Sequence, residues 1–268
     1  ARAMRAHQAN FAWRVIEAGN TYAAHVVGSG KTGSMVCAAM ESKRLGMARK
    51  PAVVVPNNLL YDFAAEAIRF YPAANVLIAR KEDIAKEGRR RFIAKVCSQN
   101  WDLVVMTHES FGRIPMSDAY VERFIGDEIA EYEDMIAERK AADGDRITLK
   151  NLEQAKRRLE TRLEKLTDQD ARDHGGLHFE ALGVDMLLVD EAHCFKNLEI
   201  KTRMGSVPGV TNAASQRALD LYMKTRWIMS QFADEQRGVV FASGTPISNS
   251  MTELYTNLKY LAPALCAE

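Results

Sequence analysis

The sequence has 268 residues, of which 47% are hydrophobic and 26% are charged, and its formal net charge at pH 7 is +1. This balance predicts an ordinary globular protein of one large or two small domains, and it argues neither for nor against nucleic-acid binding. No run of about eighteen apolar residues and no signal-peptide layout are present, which excludes a membrane partner. The 4 cysteines are far apart, so the sequence predicts reduced thiols in a cytoplasmic protein rather than disulfides or a zinc site.

The first predicted elements surround a glycine-rich turn. Apolar residues at helical spacing predict a helix from Arg5 to Ile16, and the apolar run Tyr22–Val27 predicts a buried strand. The turn at 25–32 (HVVGSGKT) overlaps the end of that strand, and a second helix is predicted over Met35–Leu45. A glycine-rich turn between a strand and a helix is typical of a phosphate-binding loop.

The residues of this turn suit a nucleotide triphosphate. Gly28 and Gly30 free the backbone to wrap around phosphate, and the N-terminus of the following helix attracts anions. Lys31 would reach the β and γ phosphates, and the Thr32 hydroxyl would hold Mg²⁺. The strict pattern has glycine where this chain has His25, so an ordinary tight turn is the alternative interpretation.

Gln8, on the first predicted helix, is a candidate for the adenine side of the nucleotide. A side-chain amide suits adenine because it donates and accepts hydrogen bonds together. A glutamine on a helix is otherwise a solvated residue, and this interpretation stays open on the residues alone.

Two further strands end in polar residues. The strand predicted over 52–56 (AVVVP) is followed by Asn57 and Asn58, and the strand Trp101–Met106 is followed by 107–110 (THES). Between them we predict a helix over Leu59–Phe70 and a short strand over Asn75–Ala79. The basic run 86–92 (KEGRRRF) fits either a phosphate backbone contact or a solvated helix face.

Charged residues are concentrated between 118 and 173. Two apolar stripes at helical spacing predict an antiparallel helical hairpin; they comprise Val121, Ile125, Ile129, Tyr132 and Ile136, then Leu149, Leu152, Leu159, Leu163 and Leu166. The first arm is mostly acidic and the second is richer in Lys and Arg, which favours an intramolecular clasp. An arm that contacts DNA or a partner is the alternative.

An apolar strand at 185–190 delivers two adjacent acids, Asp190 and Glu191, at its carboxyl end. Asp190 could hold Mg²⁺ opposite Thr32, and Glu191 could orient or deprotonate the attacking water. A strand followed by a solvated acidic turn is the alternative.

A helix is predicted over Ala213–Phe232, and a last buried strand, Gly238–Ala242, is followed by 243–249 (SGTPISN). Small hydroxyl residues there suit a relay between the nucleotide and a second ligand. A plain junction, in which Ser248 or Asn249 caps a helix over Met251–Tyr260, is the other interpretation.

Together these motifs resemble the first RecA-like lobe of superfamily-two DEAH-box helicases and translocases. The resemblance rests on Gln8, 28–32 (GSGKT), 53–56 (VVVP), 104–107 (VVMT), 190–193 (DEAH) and 243–246 (SGTP). The forms at 190–197 (DEAHCFKN) and 244–249 (GTPISN) look most similar to the Swi/Snf branch, although His25 departs from the acidic residue usual there. The charged hairpin and 251–255 (MTELY) are similar to helicase lobes of phage and plasmid proteins that are often joined to an adenine DNA methyltransferase.

The resemblance implies an α/β fold: a RecA-like P-loop NTPase lobe with a central, mostly parallel sheet flanked by helices. The lobe would comprise residues 1–117 and 174–268, with the hairpin inserted at 118–173. The implied function is the ATP-binding lobe of a DNA-dependent ATPase that couples Mg-ATP hydrolysis to movement on DNA. The alternative is a nucleotide-fold scaffold that does not hydrolyse ATP and acts through the hairpin.

The resemblance also implies roles for individual residues. ATP would be bound by Gln8, Gly28, Ser29, Gly30, Lys31 and Thr32. Mg²⁺ would be held by Thr32 and Asp190. Catalysis would need Lys31, Asp190, Glu191 and His193, and coupling of hydrolysis to DNA would add Ser243 and Thr245. The DNA backbone, duplex rather than single strand, would be followed by Pro56, Asn57, Asn58, Thr107 and His108.

Members of that family close the nucleotide between two such lobes, and the second lobe supplies arginine fingers. The sequence ends at Glu268, where the first lobe should end. An arginine finger can be worth about a thousandfold or more in rate. We therefore expect this chain to bind ATP weakly and to hydrolyse it very slowly without a second lobe from the same parent protein.

Overall fold

The computed structural model describes residues 4–84, 86–141, 146–167, 178–199, 215–233, 236–248 and 250–266. Its strands are β1 (Thr21–Ala24), β2 (Pro51–Val55), β3 (Val76–Ile78), β4 (Leu103–Thr107), β5 (Met186–Asp190) and β6 (Val239–Ser243). Its α-helices are α1 (Ala6–Ala18), α2 (Lys31–Arg44), α3 (Leu60–Phe70), α4 (Lys81–Ile84), α5 (Lys86–Ser98), α6 (His108–Gly112), α7 (Asp118–Ala141), α8 (Arg146–Thr167), α9 (Gln216–Met229) and α10 (Thr252–Leu261). Short 3₁₀ turns occupy Asn57–Leu59, Phe179–Leu182, Ala192–Phe195 and Pro263–Cys266.

The strands form one sheet in the order β1-β6-β5-β2-β4-β3, and every pairing is parallel. Every residue of β2, β4, β5 and β6 is buried, which explains why these strands are almost continuous apolar runs. The predicted α/β fold with a parallel sheet is confirmed. All carboxyl ends lie at one edge, where the motifs of the sequence therefore meet.

Helices cover both faces of the sheet, so the protein has two cores. Alternate residues of β2 enter opposite cores: Ala52 and Val54 join one, and Val53 and Val55 join the other. The first core contains the hairpin, α9 and Tyr260 of α10, and the second contains α1, α2 and α3. The hairpin therefore packs on the face opposite to the helix that follows the glycine-rich turn.

Helices α7 and α8 form the predicted antiparallel hairpin. Lys156 Nζ lies 2.6 Å from Glu133 Oε1, so the acidic first arm and the basic second arm are paired as an intramolecular clasp. The predicted stripes face the core through buried residues of both arms: Val121, Ile125, Tyr132, Ile136, Leu152 and Leu159. Residues 142–145, between the two arms, and residues 168–173, the last of the predicted hairpin, lie outside the described residues.

Tyr120 attaches the hairpin to the rest of the fold. Its hydroxyl donates to the Met223 carbonyl oxygen at 3.2 Å, and its ring meets the Trp227 ring edge-on at 5.5 Å between centroids. The first arm is therefore docked on α9. On α5, Phe92 and Ile93 are buried whereas Arg91 is exposed, as a solvated face of the basic run predicts.

The structure corrects two predicted boundaries around the glycine-rich turn. Strand β1 ends at Ala24 rather than Val27, because its neighbour β6 ends at Ser243, the partner of Ala24. Helix α2 begins at Lys31 rather than Met35, and the Ser34 amide already donates to the Gly30 carbonyl oxygen at 3.2 Å. None of the helices in the described part has the length and apolar character that crossing a bilayer requires.

Candidate nucleotide site and adjoining groove

The glycine-rich turn joins β1 directly to the N-terminus of α2. Gly28 (φ 84°) and Gly30 (φ 88°) both have left-handed backbone, which glycine adopts without strain. Gly30 is the residue before the first turn of α2, so the free N–H groups of that turn and the helix dipole face the turn. This geometry is the one that a phosphate-binding loop requires.

Helix α1 supports the loop from below through Gln8 and His7. The Gln8 Nε2 donates to the Gly30 carbonyl oxygen at 3.0 Å, while its Oε1 accepts from the Arg5 amide at 2.9 Å. His7 Nε2 donates to the Ser29 carbonyl oxygen at 2.9 Å. The buried Gln8 amide thus contacts the loop itself, and its role in reading adenine stays a prediction.

His7 and His25 are residues of the site whose part the sequence did not reveal. The His25 ring packs edge-on against the rings of His7 and Phe11, at 5.5 and 5.7 Å between centroids. Burial, together with the nearby His7 and Lys31, lowers the pKa of His25. His25 therefore packs the loop against α1 where an ordinary phosphate loop has glycine. The only available signal for His7 was its position beside Gln8.

Glu191 is the centre of the acidic side of the site. It has φ 49°, the only positive φ of a non-glycine residue among those described, so its backbone is strained. One carboxylate oxygen, Oε1, lies 3.3 Å from Lys31 Nζ. The other, Oε2, lies 3.2 Å from His193 Nδ1 and accepts from Ser243 Oγ at 3.4 Å. The strained turn thus brings Glu191 to residues from three different strand ends.

Ser243 and His193 complete this network. Their Oγ and Nδ1 atoms are 3.0 Å apart, and the Thr245 amide donates to Ser243 Oγ at 3.0 Å. The structure therefore brings together five residues from three separate motifs of the sequence: Lys31, Glu191, His193, Ser243 and Thr245. Their roles in catalysis and coupling stay predictions.

Asp190 is buried at the end of β5, and its Oδ1 accepts from the Glu191 amide at 3.0 Å. Burial, and next the charge of Glu191, raise the pKa of Asp190. A buried carboxylate beside a second carboxylate is stabilised by a cation, so this residue fits a Mg²⁺ ligand. Among the described residues no group of three or more His, Cys, Asp or Glu could hold a metal alone.

A groove of about 700 Å³ adjoins the nucleotide site at the ends of β2 and β4. Of the residues predicted to follow DNA, Pro56, Asn57 and His108 line it. Asn58 is exposed on the neighbouring 3₁₀ turn. Thr107 instead caps α6, where its Oγ1 accepts from the Ser110 amide at 3.0 Å. Contact with nucleic acid stays a prediction for all five residues.

His108 is buried between the groove and the nucleotide site. Its Nε2 is 2.8 Å from the Asp190 carbonyl oxygen, and its Nδ1 is 2.6 Å from Arg217 Nη2. Burial lowers the pKa of His108 to about 4. The ring is therefore neutral at pH 7, and both of its nitrogens are engaged inside the protein.

Residues 13–268 match the protein family described as Probable helicase domain. The chain belongs to this family. The family and the all-parallel sheet together confirm the prediction of a RecA-like helicase lobe. The assignments to the DEAH-box class and the Swi/Snf branch, and the fusion to a methyltransferase, stay predictions.

The helicase domain is also similar to individual proteins. It is 28% identical over 168 residues to Defense against restriction protein B of Escherichia phage P1. That match covers 61% of the domain and 7% of the phage protein, so the domain spans a small fraction of this relative. The solved SWI2/SNF2 ATPase core of Sulfolobus solfataricus in complex with dsDNA is similar over 100% of the domain and 37% of that chain, with 13% identity and a TM-score of 0.48.

Proposed function

We propose that the helicase domain is the ATP-binding lobe of a DNA-dependent ATPase that couples Mg-ATP hydrolysis to movement on DNA. The observation that carries the proposal is the network around Glu191. It joins Lys31 of the glycine-rich turn to His193 and Ser243, which follow β5 and end β6. A solvated acidic turn would not need a strained backbone to reach three partners.

In this proposal the loop backbone and Lys31 bind the phosphates. The N–H groups at the start of α2 would bind phosphate oxygens, and Lys31 would contact the β and γ phosphates. Since Lys31 lies 3.3 Å from Glu191, a triphosphate that attracts Lys31 would release one oxygen of that carboxylate. Glu191 would then be free to orient a water or to accept its proton.

Thr32 and Asp190 would hold Mg²⁺, which supplies positive charge for the phosphate oxygens when bound. The raised pKa of Asp190 supports this assignment, because a buried carboxylate is stabilised by a cation. Ser243 and His193 would keep the Glu191 carboxylate in place. Because the Thr245 amide donates a hydrogen bond to Ser243 Oγ, a movement of the loop at Thr245 would also move Ser243.

We further propose that DNA, in duplex form, lies along the groove beside Pro56 and Asn57. The phage relative is named for defence against restriction, which favours DNA over RNA as the substrate. A second RecA-like lobe of the same parent protein would supply the arginine fingers, and a DNA methyltransferase joined to that protein would be a further partner. Within the chain, residues 118–173 would be an insertion between lobe parts 1–117 and 174–268.

The test is ATP turnover by the 268-residue chain and by its longest natural parent, each with and without duplex DNA. We expect slow turnover by the chain and duplex-stimulated turnover by the parent. Glu191→Gln in the parent should lower turnover by about a hundredfold or more, because an acid that positions or deprotonates water is lost. Glu17→Gln, on the exposed face of α1, makes the same chemical change away from the site and should have no effect.

Two results would count against the proposal. If the Glu191→Gln parent hydrolyses ATP as fast as the wild type, the network around Glu191 has no part in hydrolysis. Absence of hydrolysis in the wild-type parent would favour the alternative, a scaffold that acts through the hairpin.

A further inference from the structure

Arg217 projects from the first turn of α9 into the groove. Its guanidinium carbon lies 4.4 Å from the centre of the Phe195 ring, and its Nη2 donates to His108 Nδ1 at 2.6 Å. The dipole of a helix disfavours a cation in its first turn. The presence of an arginine at this position is therefore not explained by helix stability. Stacking on Phe195 and the hydrogen bond to His108 fix the position of its charge in the groove.

The chemistry of its partners fixes the direction of the link. An arginine side chain only donates hydrogen bonds and a carbonyl oxygen only accepts them. His108 Nδ1 must therefore accept from Arg217, and Nε2–H must donate to the Asp190 carbonyl oxygen 2.8 Å away. The chain of hydrogen bonds runs from a groove cation, through a neutral imidazole, to the backbone of the proposed Mg²⁺ ligand.

The other charged groups that line the groove are already paired. The carboxylate of Glu109 accepts from Arg113 and from Asn57 Nδ2, and Asp220 lies 2.7 Å from Lys224 Nζ. Arg217 has no carboxylate partner within the described part of the chain, and the neutral His108 ring does not balance its charge. Among its described residues the groove therefore offers one uncompensated guanidinium, which suits a single anionic group such as a phosphodiester.

We propose that Arg217 binds one backbone phosphate of duplex DNA in this groove, and that His108 is a positioning residue that connects this contact to Asp190. The inference rests on the proposed function and names the route by which its two ligands are coupled. A phosphate that fixes the position of the Arg217 guanidinium also fixes the His108 imidazole, which is hydrogen-bonded to it. The imidazole in turn fixes the Asp190 carbonyl group, which directly precedes the strained turn at Glu191. Because coupling between sites is reciprocal, Mg-nucleotide at Asp190 strengthens duplex binding at Arg217 by the same factor.

The test measures binding of a labelled DNA duplex to the 268-residue chain by fluorescence anisotropy, across a salt series, with and without a saturating nonhydrolysable Mg-ATP analogue. We expect Arg217→Gln to weaken duplex binding roughly fivefold to tenfold and to reduce the salt slope by about one, since one phosphate contact is lost. Arg14→Gln, which removes a charge from the exposed face of α1, is the matched control and should leave both quantities unchanged.

His108→Phe separates the coupling from the phosphate contact. Phenylalanine keeps an aromatic ring against Phe195, which meets the imidazole edge-on at 5.1 Å between centroids, but it has no nitrogen for either hydrogen bond. In the wild type we expect the analogue to tighten duplex binding by about fivefold or more. In His108→Phe the ratio of the duplex Kd without the analogue to the Kd with it should fall to about one. A thermal melt must show that the variant is folded, because loss of stability alone would then not explain the lost coupling.

The outcomes are distinct. Duplex binding by the wild type with no change in Arg217→Gln overturns the phosphate contact but leaves the proposed function standing. No duplex binding by the wild-type chain overturns the phosphate contact, while the proposed function is decided separately by duplex-stimulated turnover of the parent protein. An unchanged ratio in His108→Phe overturns the coupling route. An RNA duplex of the same sequence identifies the source of the phosphate: the Arg217→Gln loss should be larger on DNA, and a loss on RNA alone overturns the DNA assignment.

Discussion

The two halves of the carboxyl edge of the sheet share strand β5 but differ in construction. The nucleotide half, at the ends of β1 and β6, is closed by side chains that contact one another around Glu191. The groove half, at the ends of β2 and β4, surrounds a cavity of about 700 Å³. There the acids are paired within the protein, and Arg217 is held by a neutral ring.

This difference shows how one sheet would serve the two ligands that we propose for it. A preorganised side-chain network suits chemistry, because donors and acceptors are in place before charge develops. An open groove suits a polymer that must pass through it. The halves meet at Asp190, whose carboxylate faces the nucleotide side and whose carbonyl accepts from His108. In the proposed coupling, communication between the halves would therefore run through the backbone of β5 rather than through a shared side chain.

The largest expected effect on stability is at the floor of the groove half. The Lys224 side chain is fully buried, and its Nζ donates to the Phe111 carbonyl oxygen at 2.8 Å and to Asp220 at 2.7 Å. Lys224→Met removes the fully buried cation and leaves the Asp220 carboxylate, which is 18% exposed, without this partner, so the free energy of unfolding in urea should fall by about 3 kcal/mol. In the nucleotide half the Glu191 side chain is already 25% exposed to water. Lys31→Met should therefore lower the free energy of unfolding by less than about 1 kcal/mol.

A double variant controls for the shape change at Lys224. Lys224→Met with Asp220→Leu removes both charges and should recover most of the lost stability. If Lys224→Met alone costs no more than Lys31→Met, the two halves do not differ in this respect.

A second prediction uses the neutral imidazole of the groove half. The pKa of His108 is about 4 in the folded protein and ordinarily 6.5, while the charged groups around it are Arg217 of α9 and Glu191 and His193 after β5. Between these values the unfolded chain binds more protons than the folded one. The free energy of unfolding therefore falls as the pH falls from about 7 to 4, by up to roughly 3 kcal/mol from this residue.

The measurement is urea denaturation at several pH values, for wild type and His108→Phe. The variant cannot titrate at this position, so the difference between the two curves isolates the residue. Parallel curves across the window would show that His108 is not held neutral.

The smallest expected effect concerns the nucleotide half. Gly28→Ala and Gly30→Ala both place a side chain on left-handed backbone, which costs roughly 1–2 kcal/mol. A Cβ at Gly30 would also lie 2.5 Å from Gln8 Nε2, whereas one at Gly28 meets nothing within 4 Å. We therefore expect the free energy of unfolding of Gly30→Ala to be about 1 kcal/mol lower than that of Gly28→Ala, as measured by thermal denaturation. Equal stabilities would mean that Gln8 does not support the loop.

Much of the fold follows from the sequence because buried parallel strands are short apolar runs and motifs mark their ends. The strands that carry Val53, Val104, Leu188 and Val240 were all predicted, and the structure moves their bounds by one or two residues. The nucleotide half was predictable for the same reason: its residues follow strands, and all carboxyl ends of a parallel sheet meet at one edge.

The remaining features depend on contacts that no local pattern encodes. Arg217 and His108 are 109 residues apart in sequence, and their contact exists only once α9 packs against α6, the helix that His108 begins. Lys224 resembles a solvated helix residue in the sequence but is fully buried over the Phe111 ring. The backbone of Glu191 is left-handed although nothing in its residue type favours that conformation. Tertiary packing determines all three.

The edge position of β1 has a consequence for how the protein is made. Its neighbour is β6, and Thr21 pairs with Val240, so the strand that leads into the glycine-rich turn waits for a partner near the other end of the sequence. A ribosome adds about 5–20 residues each second, and contacts between distant residues form slowly. Strands β2 to β5 can assemble during this wait, whereas the proposed ATP site is completed last. In the proposed function, nucleotide binding would therefore report that the whole sheet has folded, and a nascent chain that lacks β6 would not yet act on ATP.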